Sequence, residues 1–142
     1  MKVVGKIENE NIATVYIAEI NGKLIEFVES LTPPLKRDEK WVLMVSTLFG
    51  CPVKCIMCDA CGDYKGKLSK EEILAQIDYM VRRYFPNGKI NVKKFKIQFA
   101  RMGEPSFNNA VLEVLDGFHG LYQVENFIPS ILSNACFISI PP

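Results

Sequence analysis

Cys51, Cys55 and Cys58 stand close together, with three and then two residues between them. Thiolates spaced in this way lie on one short loop and can grip a single metal cluster. A cuboidal 4Fe–4S cluster takes four ligands, and Cys-rich loops are how proteins supply them. With three thiolates, one iron keeps an open coordination position, and open positions are where metal centres do chemistry. A second candidate is Gly103-Glu104-Pro105. Glycine lets backbone approach a ligand closely, and the carboxylate beside it can accept hydrogen bonds from an ammonium group. Cys61 lies three residues beyond Cys58. It offers a fourth ligand, a redox-active thiol or an ordinary loop residue, and the last is favoured. Cys136, in an apolar stretch, reads as a small buried hydrophobe.

These residues need elements to position them. Trp41-Val42-Leu43-Met44-Val45 is a continuous apolar run, as in a strand buried on both faces of an α/β layer. The cysteine loop follows its C-terminal end, where parallel α/β folds keep their active sites. Ser69 with Glu72 makes a capping box, and Ile73, Leu74, Ile77, Met80, Val81 and Tyr84 then recur at helical spacing until Pro86-Asn87-Gly88 stops them. Phe95, Ile97 and Phe99 alternate with Lys94, Lys96 and Gln98, which predicts a second strand ending at the Gly-Glu turn. Asn108 is positioned to cap a helix carrying Val111, Leu112, Val114, Leu115 and Phe118. The apolar stretch 127–140 predicts a third strand. The order β-loop-α, β-loop-α, β implies a parallel sheet with right-handed crossovers.

The first 40 residues differ. Val3 to Ile7, Ala13 to Ile20 and Leu24 to Val28 predict strands, with the hairpin dipeptide Asn21-Gly22 joining the last two. Pro33-Pro34 and the charged run after it form a turn-rich linker. Two regions are therefore expected: a small antiparallel β meander with linker at 1–40, and an α/β portion at 41–142. The 142 residues carry 17 Lys and Arg against 16 Asp and Glu, so total charge gives no sign of a nucleic-acid surface beyond the local cluster Lys93, Lys94 and Lys96. The amino terminus lacks the apolar core of an export signal, and no run approaches the roughly 20 apolar residues of a membrane helix. A cytoplasmic, reducing location with no membrane partner is expected, where clustered cysteines favour metal or redox roles over disulfides.

The run from Phe49 to Cys58 resembles the signature loop of the radical S-adenosylmethionine (radical SAM) superfamily. The run from Gln98 to Pro105, followed by Asn108, is similar to the branch containing the 23S rRNA adenine C2-methyltransferases, whose corresponding strand ends in Met-Gly-Glu-Pro. The likeness covers about residues 41 to 120. It implies a partial (βα) barrel and two cofactors, a 4Fe–4S cluster and S-adenosylmethionine. Cys51, Cys55 and Cys58 would be the metal ligands, while Met57, Gly103 and Glu104 would bind the cofactor. Met57 takes the place of an aromatic residue whose backbone contacts adenine, and Glu104 would anchor the ammonium. The implied activity is reductive cleavage of S-adenosylmethionine to a 5′-deoxyadenosyl radical, in service of RNA modification or methyl transfer. The implied partners are an electron donor such as flavodoxin or ferredoxin, and RNA. No cysteine precedes Cys51, which departs from the methyl-carrying arrangement of the methyltransferases.

At about 30 residues per βα unit, residues 41–142 supply about three units of a barrel that takes six. The chain therefore reads as the amino-terminal half of such a core, in need of a further half or a partner chain to cover the sheet edge. The alternative is a non-catalytic module in which Cys51, Cys55, Cys58 and Cys61 hold structural zinc or a fully ligated electron-transfer cluster. Gln98 and Ser130 are weaker candidates for contact with cofactor or substrate. His119 suits a capping role at a helix end, and Arg101 is placed to meet a carboxylate or phosphate.

Overall fold

The computed structural model describes residues 1–59 and 63–134. A six-stranded sheet organises them. Its first three strands, β1 (Lys2–Asn9), β2 (Ala13–Ile20) and β3 (Lys23–Leu31), form an antiparallel meander. The β2–β3 turn places Asn21 at φ 51° and Gly22 at φ 75°, the two positive values that a two-residue primed turn demands.

The sheet continues without a break into β4 (Trp41–Val45), which pairs antiparallel with β3 from Val28↔Met44 to Leu31↔Trp41. From β4 onward the winding is parallel. After α1 (Lys70–Tyr84) and a two-residue strand β5 (Lys89–Ile90) comes β6 (Phe95–Phe99), parallel to β4. A 3-10 turn (Pro105–Phe107), α2 (Ala110–Leu121) and β7 (Gln123–Val124) lead to β8 (Phe127–Ile131), parallel to β6. The sheet order is β1-β2-β3-β4-β6-β8. The short strands β5 and β7 make a separate parallel pair that the sequence pattern did not predict. Two residues each are too few for periodicity to register.

The expected capping box opens α1: Ser69 Oγ accepts from Glu72 N at 3.2 Å, and Glu72 Oε2 accepts from Ser69 N at 2.8 Å. At α2 the expectation needs correction. Asn109 is the N-cap and makes no side-chain cap, whereas Asn108 accepts from Ala110 N at 3.1 Å and turns its amide inward. The core lies between the sheet and the two helices, with Trp41, Leu43, Phe95, Ile97, Ile73 and Ile77 at its centre. The other face is less covered, since Met44, Lys96 and Gln98 alternate with those positions and are half-buried. Within β4 itself, Val42 on that face is buried and Met44 half-buried, so the strand is covered on both faces as expected, less fully at Met44. The expected third strand is β8, which ends at Ile131 rather than running on; residues 132–134 are loop, and Cys136 with the predicted range from 135 lies outside the described residues, as does Cys61. No helix among the described residues is long and apolar enough to cross a membrane.

Candidate cofactor site

The C-terminal ends of β4 and β6 lie side by side because the two strands pair in parallel, Val45 opposite Phe99. The loops that follow them are therefore neighbours. The first is closed at its base by a short antiparallel ladder: Phe49 N donates to Gly66 O at 2.9 Å, Lys65 N donates to Phe49 O at 2.7 Å, and Leu68 N donates to Thr47 O at 3.1 Å. Lys23 of β3 reinforces this base from the meander, its Nζ donating to Lys65 O at 2.8 Å and lying 4.8 Å from the Phe49 ring centroid. Cys51, Cys55 and Cys58 stand on the loop so enclosed, all three as free thiols, Cys51 buried and the other two half-buried. At its tip, Ile56 and Met57 are exposed.

The second loop is seated against the first by Gly103. Its φ of 101° belongs to the region glycine favours, and a Cβ there would lie 2.5 Å from Leu48 Cβ and 2.7 Å from Leu48 N. Thr47 N and Leu48 N both donate to Met102 O, at 2.8 and 3.2 Å. No side chain fits between backbones packed this closely.

Three buried polar groups hold the strand ends in place. Gln76 of α1 clamps Ser46, accepting from its N–H at 2.8 Å and donating to its carbonyl at 3.0 Å. Ser46 Oγ in turn accepts from Met102 N at 3.1 Å. Asn108 Nδ2 donates to Thr47 O at 2.7 Å and to Leu68 O at 2.8 Å, joining both sides of the loop base. Sequence reasoning assigned Asn108 a capping role and passed over Gln76. The signal for Gln76 was its place on the apolar face of α1, between Ile73 and Ile77, where an uncharged amide is expected only with partners.

All six residues expected at the site, Cys51, Cys55, Cys58, Met57, Gly103 and Glu104, line one cleft of about 370 Å³. Arg101 lines it too, with its Nε 3.1 Å from Glu26 Oε1 of β3. The segment after β8 completes the wall: Asn134 N donates to Glu104 Oε2 at 3.0 Å, and Asn134 Nδ2 donates to Cys55 Sγ at 3.0 Å. Ser106 N donates to Glu104 Oε1 at 3.1 Å. Burial alone would raise the Glu104 carboxyl, but hydrogen bonds from the Ser133 side chain, Asn134 N–H and Ser106 outweigh it and hold the group below its ordinary range.

Other candidates lie elsewhere. Gln98 and Ser130 are register partners on β6 and β8, and neither is among the residues lining the cleft. His119 packs edge-on against Phe127 with ring centroids 5.8 Å apart. Lys93 and Lys94 sit at the opposite end of the sheet, where Lys94 O accepts from Trp41 N.

Among the described residues, no three His, Cys, Asp or Glu side chains converge closely enough to hold one metal ion. A four-iron cluster asks something different, because each thiolate meets its own iron and the sulfurs need not meet at a point. Three soft, free thiols on one cleft wall suit such a cluster. A site that also used Cys61 falls outside the described residues.

No family model matches the chain. By sequence it is 33% identical over 101 residues to a probable dual-specificity RNA methyltransferase RlmN of Desulfitobacterium hafniense, covering 68% of this chain and 27% of that protein. It is 31% identical over 112 residues to the dual-specificity RNA methyltransferase RlmN of Wigglesworthia glossinidia brevipalpis, covering 76% of this chain and 24% of that one. The chain thus spans about a quarter of the length of these curated relatives. The crystal structure of a radical SAM methyltransferase from Sphaerobacter thermophilus superposes with a TM-score of 0.71 at 21% identity, over 92% of this chain and 38% of that one. The superposition shows that the chain shares the fold of that structure over this length, an open, partial α/β arrangement led by an antiparallel β region.

Proposed function

We propose that this chain is the cofactor-binding part of a radical SAM enzyme. In this reading Cys51, Cys55 and Cys58 hold three irons of a 4Fe–4S cluster, and Gly103 and Glu104 hold S-adenosylmethionine by its ammonium. The supporting observation is that thiols and carboxylate, far apart in sequence, line a single cleft at adjacent strand ends. Such a cluster would supply the one electron that splits the sulfonium carbon–sulfur bond of S-adenosylmethionine into methionine and a 5′-deoxyadenosyl radical.

The chain's own residues prepare the cleft. Glu104 is kept ionised by its hydrogen bonds, so it presents negative charge to an ammonium without first losing a proton. Gly103 seats the Glu104 loop against Leu48. Val53, Met57 and Leu132 add apolar surface to the cleft lining. The backbone at Met57 is assigned to the adenine.

On this reading β4-α1, β6-α2 and β8 are the first three units of a partial barrel, with residues 1–40 a β meander and linker that extend its sheet and 41–142 the amino-terminal half of the core. A one-electron donor such as flavodoxin or ferredoxin reduces the cluster, and the setting is cytoplasmic. RNA modification, with methyl transfer as its outcome, is proposed from the printed names of the curated relatives.

Anaerobic reconstitution with iron and sulfide tests the assignment. A SAM-responsive electron paramagnetic resonance spectrum is expected, with loss of the cluster in Cys51→Ala, Cys55→Ala and Cys58→Ala and its retention in Cys61→Ala. A cluster whose spectrum ignores S-adenosylmethionine, or one that needs Cys61, would overturn it in favour of a fully ligated module.

A further inference from the structure

The segment after β8 touches both halves of the cleft through one residue. Asn134 donates its side-chain amide to Cys55 Sγ at 3.0 Å and its backbone N–H to Glu104 Oε2 at 3.0 Å. We infer that Asn134 is a positioning residue that couples the Cys55 thiolate to Glu104, and that its side-chain amide raises the reduction potential of a cluster held by these thiols. The inference rests on the reading of the cleft as a cluster site.

Hydrogen bonds to cluster sulfurs are among the factors that set the potential. The reduced cluster carries one more negative charge. A donor aimed at a ligating sulfur stabilises that state more than the oxidised one. The amide of asparagine is neutral, and it keeps two N–H donors at any working pH. The second bond holds Glu104 from the same segment: Asn134 N takes Oε2 while Ser106 N takes Oε1, with hydrogen bonds from the Ser133 and Ser106 side chains beside them. Both bonds come from one residue, so the spacing between Cys55 and Glu104 follows from where β8 ends. Pairing of β8 with β6 sets that point, since Ile131 lies opposite Phe99 and Leu132 N donates to Phe99 O at 3.4 Å. The third parallel strand thereby contributes to a site whose recognised residues all follow the first two.

Asn134 is exposed, so substitution should leave the core intact. Asn134→Leu keeps the approximate size and the backbone donor but removes the amide. Asn134→Asp keeps the shape and puts an acceptor, and at neutral pH a charge, against the sulfur. The measurement is the midpoint potential of the reconstituted chain by an anaerobic redox titration, together with S-adenosylmethionine affinity. The potential should fall from wild type to Asn134→Leu and again to Asn134→Asp, and S-adenosylmethionine affinity should fall in both, because Cys55 loses its tie to the segment that holds Glu104. A common potential in all three chains, each with a SAM-responsive cluster, would overturn this inference and leave the cofactor assignment standing. A wild-type chain that takes up no SAM-responsive cluster would sink both.

Discussion

The two ends of β4 treat their polar groups in opposite ways. At the Trp41 end, Glu29 of β3 is 3% exposed and is consumed by its own chain. Its carboxylate accepts from Tyr16 OH at 2.5 Å, Trp41 Nε1 at 3.1 Å and Tyr84 OH at 3.4 Å, with Arg37 at 3.6 Å and Arg83 at 3.5 Å. At the Val45 end, Glu104 is almost as buried, at 5% exposed, yet its bonds come from main-chain N–H groups and serines on loops. Three thiols around it are free, and buried Thr47 Oγ1 has no hydrogen-bond partner among the described residues. The first carboxylate ties the meander to α1. The second is held ionised at the edge of a cleft. Similar burial serves cohesion at one end and readiness for a ligand at the other.

The contrast can be broken most directly at Glu29. Glu29→Ala should destabilise the chain by about 3–5 kcal/mol, because two arginines and three other donors lose their buried acceptor. Urea denaturation with an unchanged slope is the measurement, and a loss below about 1 kcal/mol would mean the network is not cohesive. Next is Gly103→Ala, expected to cost about 3 kcal/mol from positive-φ strain and the collision with Leu48. The matching change at the hairpin, Gly22→Ala, has open space around it and should cost only about 1 kcal/mol. Equal losses at the two glycines would deny that the two loops are locked together.

Glu104→Gln sharpens the comparison through pH. The folded-state pKa of Glu104 lies below its unfolded value, so its contribution is present above about pH 4.3 and is lost as pH falls through the folded value. The stability gap between wild type and Glu104→Gln should therefore be widest at neutral pH and close in acid. A gap that grows on acidification would reverse the sign assigned to its hydrogen bonds. The smallest effect is expected at the loop tip. Met57→Ala, at a side chain 88% exposed, should change stability by no more than about 0.5 kcal/mol. A larger loss would place that side chain in packing rather than at the cleft mouth.

Much of the cleft was legible because its residues sit in short, local patterns. The cysteine spacing and the Gly-Glu turn each follow an apolar strand, and parallel pairing brings strand ends together as a matter of topology. Glu29 was legible in principle: it shares strand parity with Ile25 and Phe27, which marks an inward position for a charged group. Asn134 had no such mark. Nothing in a Ser-Asn pair after a strand tells which sulfur its amide will meet.

From its order of residues alone, this chain determined where its longer strands and two helices run, that three thiols share a loop, and that a glycine and a carboxylate end the next parallel strand. Those properties depend on neighbours a few positions apart. Tertiary structure decided which polar groups became partners: Glu29 with two arginines, Asn108 with both sides of the loop base, and Asn134 with Cys55 and Glu104. Such pairings arise only when packing of the sheet and helices brings distant segments within about 3 Å, the reach of a hydrogen bond.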